Sequence, residues 1–194
     1  MIGDIMAINY PIKKKSKEKK FVPSNLGMTL ESDLDETNKY YLINEMAIIH
    51  KKPTPIQIVD VSYPARNKAK IVEAYYKTPS TTDYNGIYQG RYIDFDAKET
   101  SSKTSLPLKN IHLHQIQHLK DVDKHGGIAF LIVHWKYYDE YYYLPCEVLF
   151  EFWDNKKDGR KSIPYQTFKE RAHLIKFAYN PRIDYLDIIR LYYL

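Results

Sequence analysis

Two carboxylates and a lysine near the middle of the chain could form a site for phosphodiester hydrolysis. Asp83 and Asp96 lie on two runs rich in Tyr and Ile. The runs are separated by Gln89-Gly90, a turn signal, so they are predicted to pair as a β-hairpin with the two carboxylates across from each other. Because side chains alternate along a strand, Asp96 and Lys98 share a face. Mg²⁺ takes carboxylate and phosphate oxygens as ligands, and a nearby lysine would favour a deprotonated attacking water.

The spacing of an acidic residue two positions before a lysine is not specific by itself. It recurs at Glu18/Lys20, in a lysine-rich segment, and at Asp154/Lys156, in a predicted loop. Only Asp96 lies on a predicted buried strand whose partner strand carries a second acid. On the pattern alone, an edge hairpin with solvated charges explains these residues equally well.

Asp83 with Asp96-Ala97-Lys98 has the form of the PD-(D/E)xK nuclease motif, and residues 25–194 resemble the RecU family of Holliday junction resolvases. The stretches that carry this resemblance are Gly27-Met28-Thr29-Leu30-Glu31, His50-Lys51-Lys52-Pro53-Thr54-Pro55, Pro79-Ser80-Thr81-Thr82-Asp83-Tyr84-Asn85-Gly86, Gly159-Arg160-Lys161-Ser162-Ile163 and Pro181-Arg182-Ile183-Asp184-Tyr185. The resemblance implies a restriction-endonuclease-like α/β fold. It also implies an Mg²⁺-dependent endonuclease, with Mn²⁺ as a substitute, that resolves four-way junctions in homologous recombination and DNA repair.

Roles for individual residues follow from the resemblance. Asp83 and Asp96 would hold the metal ion together with the Ala97 carbonyl, and Lys98 would position and activate the attacking water. Asp96 stands where the family usually has Glu. The shorter side chain is expected to shift the metal and slow the chemistry.

Helical residues are expected to complete the site. Glu31 lies in the first turn of a predicted helix, and the resemblance implies that it acts on the metal through water. Alternatively, the carboxylate stands there only because it interacts favourably with the helix dipole. Gln115, on the helix after the motif strand, would orient water or phosphate. His114 and His118 are four residues apart, but without a third ligand they are interpreted as surface histidines rather than zinc ligands.

A basic and aromatic set of side chains is predicted to contact DNA. An insertion at about residues 53–80 resembles the RecU stalk, which protrudes into the open centre of a four-way junction. Its cations would meet converging phosphates and its tyrosines would stack on exposed bases, and a solvated surface hairpin is the alternative. The predicted DNA contacts, including three outside the insertion, are Lys51, Arg66, Lys68, Lys70, Tyr75, Tyr76, Arg160 and Lys161.

Composition indicates one globular domain with a basic arm. The chain has 194 residues, of which 44% are hydrophobic, and a net charge of +5. Six of residues 13–20 are Lys, so residues 1–24 are predicted to be a disordered arm and residues 25–194 the nuclease domain. The single cysteine, Cys146, excludes an intramolecular disulfide. No signal peptide and no membrane-spanning apolar run are evident, so a soluble cytoplasmic protein is expected.

Strands interspersed with helices, around an apolar central strand, predict a mixed sheet flanked by helices. Helices are expected at 28–46, at 110–124 with Asn110 as N-cap, at 148–153, at 162–172 with Ser162 as cap, and at 183–191. Strands are expected, besides the hairpin, at 47–50, 56–61, 71–76, 128–135, 141–144 and 173–179.

A homodimer with one site per subunit would match the two equivalent strands of a junction. A RecA-type recombinase is a further candidate partner. Two other functions remain open at this point. One is a PD-(D/E)xK nuclease acting on another DNA substrate, which would not require the insertion. The other is a non-catalytic DNA-binding modulator of a recombinase filament, which would not require the carboxylates.

Overall fold

A six-stranded mixed sheet with helices on both faces forms the centre of the molecule. The computed structural model describes residues 29–65, 67–77 and 81–194. Within these ranges the helices are α1 Leu30–Ile43, α2 Leu113–Lys124, α3 Cys146–Asp154, α4 Tyr165–Arg171 and α5 Tyr185–Tyr192. The strands are β1 Ile48–Lys51, β2 Ile56–Ser62, β3 Lys70–Tyr76, β4 Tyr84–Tyr88, β5 Arg91–Thr100, β6 Ser105–Pro107, β7 Ile128–Trp135, β8 Glu140–Pro145, β9 Ser162–Pro164 and β10 His173–Ile175. The predicted basic arm and Arg66 lie outside the described residues.

The strand order of the central sheet is β1-β4-β5-β7-β8-β10. Strands β5 and β7 are parallel, whereas the other neighbours in this sheet are antiparallel. A parallel pair needs a crossover connection, which here contains α2. The predicted α/β class, with a central mixed sheet flanked by helices, is confirmed. None of the helices in the described ranges is long and apolar enough to cross a membrane.

Strand β7 is buried on both faces, which explains its nearly continuous run of apolar residues. Phe130 and Ile132 belong to one core, together with residues of α1 and α5. Leu131 and Val133 belong to a second core, together with residues of α2, α3 and α4. The sheet therefore separates two apolar layers.

Strand β5 differs from β7 because only one of its faces is apolar. Ile93 and Phe95 are fully buried in the core that contains α1 and α5. Asp94 and Asp96 alternate with them and are also fully buried, with contacts to side chains of α2. The sheet thus places two carboxylates between the central strand and the crossover helix.

Strands β2 and β3 form a two-stranded ribbon outside the central sheet, called here the β2–β3 ribbon. Its residues are exposed on both strands apart from one partly buried position, and its apolar members Ile58 and Val72 are 49% and 59% exposed. In the described part of the chain, the ribbon pairs with no third strand.

Two predicted helix starts are wrong. Asn110 ends a 3₁₀ turn, and α2 instead begins after His112, whose backbone N–H donates a hydrogen bond to the Gln115 side chain in the first turn. Ser162 does not cap a helix, because it begins β9, which pairs with β6. Helix α4 starts only after Pro164. Both errors arose where a short strand or turn precedes the helix, a feature that local periodicity does not report.

Candidate active site

The β4–β5 hairpin sets the two carboxylates of the motif side by side. Gln89 and Gly90 have φ values of 47° and 76°, the left-handed conformation that a tight two-residue turn requires. The register pairs Tyr84 with Phe95, so Asp83 immediately precedes the paired region opposite Asp96. The Ala97 backbone N–H donates a hydrogen bond to Asp83 Oδ2 at 3.3 Å. The predicted hairpin and the facing of its acids are therefore observed.

Asp96 is the most buried member of this group. Its side chain is fully buried, and its Oδ2 atom is in ion-pair contact with Lys98 Nζ. The Lys98 side chain is 15% exposed, so the ammonium lies at the edge of the site rather than in bulk water. The predicted trio of Asp83, Asp96 and Lys98 is brought together.

Burial raises the pKa of Asp96 to about 7. The Lys98 ammonium opposes this shift, and the nearby Asp83 carboxylate adds to it. Asp96 Oδ2 is buried and has Lys98 Nζ as its ion-pair partner. Two adjacent carboxylates that repel each other in a buried position form a site that a hard divalent cation would stabilise.

The donor set fits an oxygen-binding cation better than zinc. No cluster of three or more His, Cys, Asp or Glu side chains suited to a metal occurs in residues 29–65, 67–77 and 81–194. Two carboxylates and the Ala97 carbonyl match instead the few protein oxygens that Mg²⁺ takes, since this ion keeps water and substrate phosphate as its other ligands.

Gln115 of α2 contacts the site directly. Its Nε2 donates a hydrogen bond to Asp96 Oδ1 at 2.8 Å, while its Oε1 accepts one from the His112 backbone N–H at 3.0 Å. One side chain therefore ties the start of α2 to the Asp96 carboxylate.

Glu31 lines a cleft next to Lys98, beside the start of α1. Residues Thr29 to Glu31 and Ala97 to Glu99 line a cleft of about 350 Å³. Glu99 Oε1 accepts a hydrogen bond from the Leu30 N–H at 3.1 Å, which anchors the helix start beside β5. The exposed Glu31 carboxylate lies 2.7 Å from Lys51 Nζ. Lys51, predicted as a DNA contact, is thus at the rim of this cleft.

The other predicted DNA contacts lie on the surface away from the carboxylates. Lys68, Lys70, Tyr75 and Tyr76 are exposed on the β2–β3 ribbon or at its tip. Arg160 and Lys161 are exposed between α3 and β9. Arg66 falls outside the described residues.

Sequence reasoning missed a second polar cluster beside the first. Asp94 Oδ2 lies 2.8 Å from Lys52 Nζ and 3.0 Å from His118 Nε2. The interpretation of His118 as a surface histidine is wrong, because its side chain is 24% exposed and faces Asp94. Strand alternation already placed Asp94 on the face of Asp96, and this was the one available signal. The partners come from distant parts of the chain.

Comparison with known proteins decides the family. The family model described as "Recombination protein U" matches residues 25–191. The chain belongs to the RecU family. Proteins named "Holliday junction resolvase RecU" are among its relatives. The one from Bacillus pumilus is 59% identical over 167 residues, covering 86% of this chain and 80% of the relative.

Further RecU relatives also match most of the chain at more than half identity. The Bacillus subtilis (strain 168) protein is 59% identical over 171 residues, covering 88% of this chain and 82% of its own. The Bacillus cytotoxicus protein is 52% identical over 199 residues, covering 97% and 99%. The predicted RecU resemblance is confirmed. A solved structure of Archaeoglobus fulgidus Hjc, a Holliday junction resolvase, is 11% identical over 49% of this chain with a TM-score of 0.31, too distant to bear on function.

Proposed function

We propose that this RecU family member is an Mg²⁺-dependent, structure-selective endonuclease that resolves Holliday junctions, with Mn²⁺ as a substitute ion. The observation that carries the proposal is the fully buried Asp96 beside Asp83 and Lys98. Its burial and raised pKa, beside a second carboxylate, mark a carboxylate suited to a cation. The name shared by the relatives supports four-way junction DNA as the substrate.

Each residue of the site has a proposed role. Asp83, Asp96 and the Ala97 carbonyl hold the ion, which when bound supplies Lewis acidity at the scissile phosphate. The Lys98 ammonium orients the attacking water and offsets charge on the phosphate in the transition state. Gln115 holds Asp96 Oδ1 through its 2.8 Å hydrogen bond, so Oδ2, which contacts Lys98, would be the oxygen available to the ion.

Glu31 acts at the edge of the site. It is paired with Lys51 in the structure, and it would act on the ion through water rather than as a direct ligand. A phosphate entering the cleft would compete with Glu31 for the Lys51 ammonium. This exchange provides Lys51 with a DNA contact close to the scissile bond.

The DNA surface is proposed to extend beyond the cleft. We place the nuclease domain at residues 25–194, with residues 1–24 as a basic arm and residues 53–80 as the stalk insertion. Arg66, Lys68, Lys70, Tyr75 and Tyr76 would meet the junction centre, while Arg160 and Lys161 would hold a duplex arm. A two-fold homodimer would present one site to each of two symmetric strands. The protein would act in the cytoplasm, where a RecA-type recombinase is the candidate partner.

Reversing two charges of the β2–β3 ribbon tests junction selectivity. The double variant Lys68→Glu/Lys70→Glu should bind a synthetic four-way junction about tenfold or more weakly, because phosphates converge on the ribbon only in a junction. Binding to a linear duplex of the same length should change little. Electrophoretic mobility shift in Ca²⁺, with both substrates at one salt concentration, measures the two affinities.

The matched control is Lys39→Glu/Lys124→Glu, which makes the same charge change at exposed positions on α1 and α2. It should weaken binding to both substrates slightly and equally. Equal losses on junction and duplex for the ribbon variant would contradict junction recognition by the ribbon. They would favour a PD-(D/E)xK nuclease with another DNA substrate.

A further inference from the structure

Asp94 is a fully buried carboxylate with contacts to four other side chains. Its Oδ2 accepts hydrogen bonds from Lys52 Nζ at 2.8 Å and from the Tyr92 hydroxyl at 2.8 Å, and it lies 3.0 Å from His118 Nε2. Its Oδ1 accepts a hydrogen bond from the Thr82 hydroxyl. Lys52 Nζ also donates to Thr82 Oγ1 at 2.9 Å, which closes the cluster.

Two partners of Asp94 adjoin Asp83. Thr82 immediately precedes Asp83 in the chain. Lys52 is attached to the same segment by its backbone, since its N–H donates a hydrogen bond to the Asp83 carbonyl at 2.7 Å. Asp94 therefore holds the segment before β4 in two ways. It bonds directly to Thr82, and it bonds to Lys52, which in turn bonds to the Asp83 carbonyl.

The third partner adjoins Gln115. His118 lies three residues after Gln115 on α2, so both side chains point to β5 from one face of the helix. Gln115 contacts Asp96, and His118 contacts Asp94, two residues earlier on the same face of the strand. The Asp94 carboxylate thus connects β5 with the segment before β4 and with α2, the parts of the fold that supply Asp83, Asp96 and Gln115.

Stability alone does not account for a charged group at this position. Burying an ionised carboxylate with a basic partner costs desolvation, and apolar side chains of similar volume are often equally or more stable. The neighbouring strand β7 has Ala129 and Leu131 in the same apolar layer, so this layer accepts apolar side chains. What the carboxylate adds is a fixed set of directional bonds to Thr82, Lys52 and His118.

We propose that Asp94 is a positioning residue for cleavage. Through Thr82 and Lys52 it fixes the orientation of Asp83, and through His118 it fixes the helix that holds Asp96 by means of Gln115. The inference rests on the proposed function, because it assigns Asp94 an effect on the metal-binding carboxylates. It does not require Asp94 to touch the ion or the DNA.

The test uses Asp94→Asn and Thr82→Val, each of nearly the same volume as the original residue, in the full chain. Both variants should cut a four-way junction about 10- to 100-fold more slowly in single turnovers at saturating Mg²⁺, since misplacement of a reacting group by about 1 Å has such an effect. Both should also bind Mn²⁺ more weakly, as measured by electron paramagnetic resonance without DNA. Junction affinity in Ca²⁺ should be unchanged, because the Asp94 and Thr82 side chains are buried and present no surface to DNA.

Asp33→Asn is the matched control, since Asp33 is 1% exposed and its Oδ1 lies 2.9 Å from Arg182, on the other face of the sheet. It should lower Tm without changing the cleavage rate or Mn²⁺ affinity. If Asp94→Asn and Thr82→Val also change only Tm, the positioning role is overturned. If Asp94→Asn does not fold, Thr82→Val decides. Failure of the unmodified protein to cut junctions would overturn the proposed function instead, and Mn²⁺ affinity would still decide the positioning role.

Discussion

Asp83→Asn should reduce cleavage of a four-way junction by about 10²- to 10³-fold or more, while junction affinity stays the same or rises. The substitution keeps the size of the side chain and its ability to accept the hydrogen bond from the Ala97 N–H. It removes one of the two charges that face the proposed ion. The repulsion by Asp83, which adds to the effect of burial on the Asp96 pKa, would also be lost, so the protein should be no less stable.

The chain contains its own control for this substitution. Asp154 lies two residues before Lys156, the same spacing as Asp96 and Lys98, but it is exposed and pairs with Lys120 at 2.7 Å on the surface. Asp154→Asn removes the same charge and should leave the single-turnover rate unchanged. If Asp83→Asn cut at the normal rate, Asp83 would have no catalytic role and the proposed metal site would be wrong.

Replacement of the metal should have an effect of similar size. Cleavage should proceed with Mg²⁺ or Mn²⁺ and fall to background with EDTA or with Ca²⁺ alone, while junction binding survives in Ca²⁺. Mg²⁺ and Mn²⁺ suit a small octahedral site with few protein ligands, whereas Ca²⁺ takes more oxygens at longer distances. Gel electrophoresis of labelled junction strands measures both the cleavage and the binding. Equal cleavage in EDTA would contradict the metal role.

Because the Asp96 pKa is about 7, the Mg²⁺ concentration needed for cleavage should depend on pH. Below pH 7 the carboxyl is mostly protonated, and a proton competes with the cation for the same oxygen. The half-saturating Mg²⁺ concentration should therefore rise by up to about tenfold for each pH unit below 7, and level off above pH 8. A half-saturating concentration that is constant from pH 6 to 8 would contradict metal binding by an Asp96 carboxyl with a raised pKa.

The parts of the site that lie close in sequence could be predicted. The turn at Gln89-Gly90, the pairing of the hairpin and the shared face of Asp96 and Lys98 all follow from rules that act within about twenty residues. The buried strand β7 was equally clear, because an apolar run between turn signals has few alternatives. The RecU resemblance then supplied Glu31 and Gln115, which no local pattern connects to Asp83.

The Asp94 cluster could not be predicted, because its members are far apart in sequence. Lys52 and Asp94 are separated by 42 residues, and His118 follows Asp94 by 24. Alternation placed Asp94 on the polar face, but only the fold shows which side chains meet it. The start of α2 was misplaced for a different reason, since a 3₁₀ turn at Leu108–Asn110 precedes the helix and local periodicity does not report it.

The most direct measurement is the anomalous diffraction of crystals soaked in Mn²⁺. The account predicts one or more peaks within coordination distance of the Asp83 and Asp96 carboxylates and the Ala97 carbonyl, with Gln115 still bonded to Asp96. It also predicts that the peaks vanish in Asp83→Asn crystals. A manganese ion bound elsewhere, with these two carboxylates free of metal in a protein that cuts junctions, would contradict it.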